Sequence, residues 1–404
     1  MIVIGGLSGP ALCEPRSVPP ATVILISMDG TRPADVTSAQ LSSLVELGSK
    51  GLRAEALVPV DPTNTFPNHV SLVTGVLPEE HRLANNRFID PLRGRFSRKE
   101  IHTWIESEPI WSVAERHGMP AASFYWVGSE GPWRGGPGPS LSKKFSSRTR
   151  EKTKVTQILK WLAIEDPRTR PRLITAWFHG ADHAAHLAGP GGSAVELSLF
   201  PQNVQIARLV REMEERDLFD STTLIFVSDH GMAKASQRLN LGKRLRRAGL
   251  KCSVSGIGGF AIGTFKEAER TDANLARAVE IARRAGLEAW IRTEAPEDWH
   301  VSDSRFGDFV VRAPIGIALV NNMTVSDGYH GYASSAPEMA GILVARGRGV
   351  APGSTLGRIS NLSIAPTILM LLGLPVPAQM KGSPIQELLQ GIVPKASPKQ
   401  PIFN

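Results

Sequence analysis

The sequence predicts a layered α/β domain built on a mostly parallel sheet, and three observations predict it. Four apolar runs rich in β-branched and aromatic residues, Thr22–Ser27, Ala121–Trp126, Leu173–Phe178 and Thr223–Ser228, read as buried strands. Stretches with helical spacing separate them, the alternation that feeds a parallel sheet through crossover helices. Polar residues gather where the runs end: Asp29 after the first, His179 and Asp182 after the third, Asp229-His230 after the fourth. Open α/β sheets place their ligands at such strand ends.

The elements follow in order. Residues 41–48 read as a helix stopped by Gly48. Residues 57–60 read as a short strand leading into the loop Pro62–His69, and Val70–Thr74 as a short helix stopped by Gly75. Within that loop Asp61-Pro62 and Phe66-Pro67 oppose helix, because the residue before a proline is pushed toward extended backbone. Residues 110–118, 155–164 and 204–216 have helical spacing, and Gly131–Pro139 is a Gly/Pro-rich surface loop. From about Asn240 the character changes. Short β-like pieces at 259–263 and 308–311 flank a helix over 272–286, the pattern of a small α+β insertion. A strand at 340–345 and a helix at 364–372 then return to the core. The expected organisation is therefore 1–20 as a secretory signal or disordered tail, 21–239 and 328–392 as two parts of one catalytic core, 240–327 as the insertion, and 393–404 as a tail.

Composition narrows the partners. The 404 residues suffice for one large domain or a core with an insertion. A net charge of +8 suits small anionic substrates and does not by itself indicate nucleic acid. No helix-turn-helix pattern, RNA-binding signature or basic–aromatic stripe is present, so no nucleic-acid module is expected. No apolar run reaches membrane-spanning length. Cys13 and Cys252 make neither a disulfide framework nor a cysteine metal site. Residues 2–13 look like the second half of a secretory signal, without the basic residues that normally precede it. The expectation is a periplasmic or secreted protein, with the cytoplasm left open; oligomeric state is not legible.

Thr65 stands at a helix start, where free backbone N–H groups and the positive dipole end favour anions. Alone it reads as a helix cap. Asp29, Asp182, His186, Asp229, His230 and His330 change that reading. Carboxylate with imidazole suits zinc and related divalent metals. Asp182 and His186, four apart, share one face of a helical turn, while His179 and His183 lie close enough to compete for the role. Three carboxylates and three histidines suggest a two-metal clamp.

These residues, in this order, resemble the alkaline phosphatase superfamily and, within it, the nucleotide pyrophosphatase/phosphodiesterase family. The resemblance rests on Met28-Asp29-Gly30, Thr65-Phe66-Pro67-Asn68-His69, Val73-Thr74-Gly75, Asp182 with His186 and Gly189-Pro190, Ser228-Asp229-His230-Gly231-Met232, His330-Gly331-Tyr332 and Ile364–Ile368, and it spans about Val23 to Leu389. It implies an alkaline-phosphatase-like three-layer sandwich and two zinc ions, with other divalent metals as substitutes. One ion would be held by Asp182, His186 and His330, the other by Asp29, Asp229, His230 and the Thr65 oxygen. Thr65 would be the nucleophile, passing through a phosphothreonine. Asn86 would donate to a phosphoryl oxygen beside the Thr65 N–H. Phe66 and Trp177 would stack on a base or line the leaving-group pocket.

The sequence departs from the family at Trp177 for tyrosine, Gly180-Ala181 for Glu-Pro, Arg82 for glycine after His81, and Ala333-Ser334 for Asp-Asn. None removes a ligand; all bear on the substrate. The expected activity is therefore phosphodiester or pyrophosphate hydrolysis, of nucleotides. The alternatives are a phosphonate hydrolase or phosphomonoesterase of the same superfamily, and last a non-catalytic binding protein. A sulfatase lacks support, because no Cys/Ser-x-Pro-x-Arg motif surrounds Thr65.

Overall fold

The computed structural model describes residues 21–321 and 326–392. Its main sheet has eight strands: β1 (Thr22–Met28), β2 (Leu52–Val58), β3 (Ala121–Phe124), β4 (Leu141–Lys143), β5 (Leu173–Phe178), β6 (Thr222–Val227), β11 (Leu343–Gly347) and β12 (Ser354–Ser360). A second, antiparallel sheet holds β7 (Cys252–Ser255), β8 (Phe260–Phe265), β9 (Glu288–Ile291) and β10 (Phe309–Arg312) in the order β7-β8-β10-β9. The main sheet runs β12-β2-β11-β6-β1-β5-β3-β4, and only β11 is antiparallel to its neighbours.

Alternate residues of the central strands go to opposite faces. Ile24, Ile26, Ile174 and Phe226 pack on one side with helices 151–162 and 193–214. Val23, Leu25, Leu173 and Ile225 pack on the other with helices 110–116 and 364–371. The result is helix, sheet, helix. Each fully buried aliphatic side chain contributes roughly 1.5–3 kcal/mol, which is why these runs read as continuous rather than alternating.

The register places the site. β1 lies between β5 and β6, all three parallel, with Met28 opposite Phe178 and Ser27 opposite Val227. The residues that follow, Asp29, His179 and Ser228-Asp229, therefore emerge side by side on one sheet edge. β2 ends at the same edge and runs through Pro59–Asn64 into helix Thr65–Thr74.

Some boundaries differ from expectation. The strand expected at 57–60 starts at Leu52 and ends at Val58, ahead of Pro59. The helix expected from Val70 begins at Thr65, with Pro67 in its first turn. A proline there costs no hydrogen bond, since first-turn N–H groups have no partner within the helix. Gly75 ends it in the left-handed region at φ 66°. The helix expected from Val204 begins at Ser193 and carries Pro201 inside it, and the strand expected at 340–345 is Leu343–Gly347. The insertion region contains the second sheet, with helices Leu241–Arg247 and Asp272–Arg284 packed in its core. A hydrophobic cluster including Phe66, Phe88, Trp104, Phe306 and Val310 joins that sheet to the Thr65 helix. The expected signal and the C-terminal tail lie outside the described residues.

Candidate active site and metal centre

The Thr65 turn is fastened by side chains rather than by its own cap. Asn68 donates from Nδ2 to the carbonyls of Val60, Pro62 and Asn64 at 3.2, 3.0 and 3.1 Å, and its Oδ1 accepts from Val60 N–H at 2.8 Å. Asn64 donates to Asn85 Oδ1 at 2.9 Å, the same oxygen accepts from Asn86 N–H at 2.7 Å, and Asn86 Oδ1 accepts from Phe66 N–H at 2.8 Å. Asn86 thus caps the helix from elsewhere in the chain and leaves its Nδ2 for the cavity it lines. No described residue accepts from the Thr65 N–H. A first-turn donor without a partner is the start of an anion site.

Five of the six expected ligands gather into two overlapping groups, and the sixth, His186, stands beside one of them. Asp29, Asp229 and His230 form one group whose ligand atoms lie within 4.8 Å of one another, and Asp182, His230 and His330 form a second. His230 is common to both. His186 reaches Asp182 Oδ1 at 3.3 Å and its ring centre lies 5.1 Å from that of His330, so it flanks the second group. Thr65 Oγ1 is 3.1 Å from His230 Nε2.

The donor set fits divalent metal ions. Asp29 Oδ1, Asp182 Oδ1 and Asp229 Oδ2 are buried oxygens that receive no hydrogen bond. Such atoms are costly unless something cationic satisfies them. Each of the three histidines turns Nδ1 to a backbone carbonyl: His186 to Gly328 at 2.8 Å, His230 to Gly231 at 2.8 Å, His330 to Thr63 at 3.0 Å. That network assigns the proton to Nδ1 and leaves Nε2 as a lone pair facing the carboxylates, the usual posture of a ligating imidazole. Titration shows how strongly the carboxylates call for positive charge: burial acts against charge on the His186 imidazole, but its contact with Asp182 outweighs burial and raises its pKa. Burial, with the charges of Asp229 and Asp182, raises the Asp29 carboxyl well above its ordinary range. Burial acts upward on Asp229 too, but His230 and His69 outweigh it and hold that carboxyl low. Burial, together with His230 and His186, pushes the His330 imidazole far down. Three carboxylates crowded together favour added positive charge.

Gly180 makes the approach feasible. At φ +57° its added Cβ would stand 2.0 Å from the Asp29 carbonyl oxygen, so a side chain there would force the ends of β1 and β5 apart. Phe66 and Trp177 both line a cavity of about 790 Å³ that also touches Asp29, Thr65 and Asp182. Trp177 donates from its indole to Asp29 Oδ2 at 3.1 Å, and its ring stacks on Phe145 at 5.5 Å. Two of the family departures are locally satisfied. Arg82 sits at φ 64°, a glycine-like conformation, held by Asp303 at 2.6 Å and Glu106 at 3.1 Å. Ser334 donates twice to Asp61, from N–H and hydroxyl, at 2.9 Å each.

Sequence reasoning gave no role to several residues here. His69 is fully buried, donates from Nδ1 to the Thr65 carbonyl at 2.9 Å and lies 3.2 Å from Asp229 Oδ2. Its place four residues after Thr65 on a helix was the available signal. Glu151, Lys154, Tyr125 and Arg98 also line the cavity, with no local signature, because long-range packing brings them there.

The residues match the family described as type I phosphodiesterase / nucleotide pyrophosphatase over 23–333. An uncharacterized pyrophosphatase/phosphodiesterase of Schizosaccharomyces pombe is 28% identical over 382 residues, 88% of this chain and 77% of its own length. Ectonucleotide pyrophosphatase/phosphodiesterase family member 1 of Homo sapiens is 31% identical over 220 residues, 53% of this chain and 24% of its own length. The chain thus spans most of the yeast relative and about a quarter of the human one. Among solved structures, murine ectonucleotide pyrophosphatase/phosphodiesterase 5, an inactive threonine-to-alanine form in complex with AMP, superposes with a TM-score of 0.82 at 23% identity, covering 91% of this chain and 100% of that one. That likeness establishes the alkaline-phosphatase-like fold. With the family match covering most of the chain, the conclusion is direct: it belongs to the type I phosphodiesterase / nucleotide pyrophosphatase family, in the alkaline phosphatase superfamily.

Proposed function

We propose that this chain is a two-zinc hydrolase of phosphodiester or pyrophosphate bonds in nucleotides, with Thr65 as nucleophile. The observation that carries the reading is the gathering of carboxylate oxygens that receive no hydrogen bond, with histidine nitrogens, into two overlapping groups that His230 joins to Thr65 Oγ1. Asp29, Asp229, His230 and the Thr65 oxygen would hold one ion; Asp182, His186 and His330 would hold the other. Bound divalent cations supply a lowered pKa for a coordinated hydroxyl and neutralise charge on phosphoryl oxygens. Thr65 Oγ1 attacks phosphorus, the leaving group departs on the opposite side, and the resulting phosphothreonine is hydrolysed by water. The Thr65 N–H and Asn86 Nδ2 donate to the equatorial oxygens as charge develops there. Phe66 and Trp177 flank the esterified alcohol, and the AMP bound by the murine relative supports a nucleoside in that place.

A second reading has an observation of its own. Arg87 and Arg98 line a cavity of about 160 Å³ beside Thr65, Asp182 and His330, and neither pairs with a described carboxylate. Such cations suit the extra charge of a phosphomonoester or a terminal phosphate. Two experiments decide. Metal-replete Thr65→Ala is expected to retain its metal and lose diester hydrolysis; near-normal turnover sinks the nucleophile assignment. Rates on a nucleoside p-nitrophenyl diester, a phosphonate and a simple monoester rank the substrate classes, and a monoester or phosphonate faster by orders of magnitude replaces the first reading.

A further inference from the structure

His179 and His183 both follow β5, and the structure gives them different settings. Both are on the wall of the 790 Å³ cavity, but only His179 is fixed by partners. Its N–H donates to Glu151 Oε1 at 3.1 Å, and its Nδ1 lies 2.6 Å from the same oxygen. Glu151 opens the helix Glu151–Leu162 and is buried. Lys154, on the next turn, has a side chain only 1% exposed. Its ammonium stands 3.2 Å from Glu151 Oε1 and donates to the Trp177 carbonyl at 2.8 Å.

This array fixes the imidazole. Burial acts against charge on Glu151, but the His179 contact and Lys154 outweigh it and bring the carboxyl down to about 2. An ionised Glu151 only accepts, so in the neutral imidazole His179 Nδ1 carries the proton and Nε2 presents a lone pair. No described residue hydrogen-bonds Nε2, and the side chain is 38% exposed. A buried Glu–Lys pair is weak evidence for stability in itself. Here it holds an imidazole on the wall of the cavity that Thr65 also lines.

Resting on the diesterase reading above, we infer that His179 Nε2 accepts a hydrogen bond from a hydroxyl of the alcohol esterified to phosphate, with Glu151 and Lys154 as positioning residues. The cavity has the matching division. Phe66, Tyr125, Phe145 and Trp177 offer flat apolar surface, and the wall at His179 offers an acceptor. The ligand class is an alcohol with an aromatic portion and hydroxyl donors, the chemistry of a ribonucleoside. An acceptor without a competing donor rewards a hydroxyl and is left unpaired by its deoxy analogue.

The test compares three esters on the metal-replete full chain: p-nitrophenyl uridine monophosphate, its dideoxyuridine counterpart and bis-p-nitrophenyl phosphate. Wild type is expected to favour the ribonucleoside ester over the dideoxy ester by ~5–10-fold in kcat/KM, mostly through KM, the scale of one neutral hydrogen bond. His179→Ala should bring that ratio to about 1, and Glu151→Gln, which releases the tautomer, should bring it part of the way. A ratio near 1 in wild type overturns the inference, as does an undiminished ratio in His179→Ala. Should His179→Ala fail to fold, the wild-type ratio and Glu151→Gln still decide. Hydrolysis of none of the three esters by wild type overturns the diesterase reading and this inference with it, whereas hydrolysis without discrimination overturns the inference alone.

Discussion

The two halves of the proposed metal centre are built differently. Asp29 and Asp229-His230 leave the adjacent central strands β1 and β6 and are 6%, 0% and 0% exposed. Their surroundings are fixed: Gly30 N–H donates to Asp229 Oδ1 at 3.2 Å, and His69 stands against Asp229 Oδ2. Asp182 and His186 instead sit on the short helix Asp182–Ala188, with side chains 23% and 24% exposed, and His330 lies on a loop beyond a two-residue strand. The first half lies within the core; in the second, Asp182 and His186 are open to the surface while His330, 6% exposed, is buried. The buried half is therefore expected to hold its ion while the open half exchanges.

That contrast can be broken in several ways. The largest expected effects come from the ligands themselves. Asp229→Asn and Asp182→Asn should each cost about three orders of magnitude in kcat/KM, the scale of ~4 kcal/mol of transition-state stabilisation. Excess zinc should partly rescue Asp182→Asn and not Asp229→Asn; equal rescue in a zinc titration removes the distinction. Graded chelation followed by metal analysis should release one ion per chain before the other, and simultaneous loss contradicts the comparison. Next, His69→Ala should weaken metal binding at the buried half by ~10–100-fold, as losing a group that orients a ligand does.

The stability effects are smaller. In chelator, Asp29→Asn should raise Tm by about 1 °C per kcal/mol of relieved repulsion, because burial and two neighbouring carboxylates disfavour its charge. An unchanged or lower Tm in metal-free protein counts against the crowding argument. The smallest effect concerns Glu151, the first residue of the helix Glu151–Leu162. Its carboxyl falls from an ordinary 4.5 to about 2 in the folded chain. The folded pKa is depressed, so the stabilisation is fully present above pH 4.5 and lost as pH falls through about 2. The contribution is on the order of 2–3 kcal/mol, measured as the narrowing difference between wild type and Glu151→Gln in acid unfolding.

Central strands were legible because burial on both faces demands continuous apolar runs, as in Leu173–Phe178. Edge strand β12, Ser354–Ser360, was not, because its exposed residues leave no such run. The helix at Thr65 was read late because Pro67 looks like a breaker, whereas a first turn tolerates it. Asp29, Asp182 and Asp229 were visible as carboxylates at strand ends. Their division between two ions was less so, since Asp229 and His230 are adjacent and His230 stands in both groups. Glu151 and Lys154 carry no signal in sequence, because a helix face looks the same whether water or β5 lies against it.

One pairing sets how this fold can vary. Val227, the last residue of β6, lies directly opposite Leu343, the first of β11, in an antiparallel register. Topologically, the whole stretch 228–342 is the loop of a single hairpin. Its ends are fixed by the sheet, and loop-closure entropy rises only slowly with length. Material can therefore be added to or exchanged within this loop without re-threading the sheet. Asp229 and His230 stand at its departing foot and His330 within its returning limb. Diversification of this chain would thus reshape the approach to Thr65 first and the strands beneath it last.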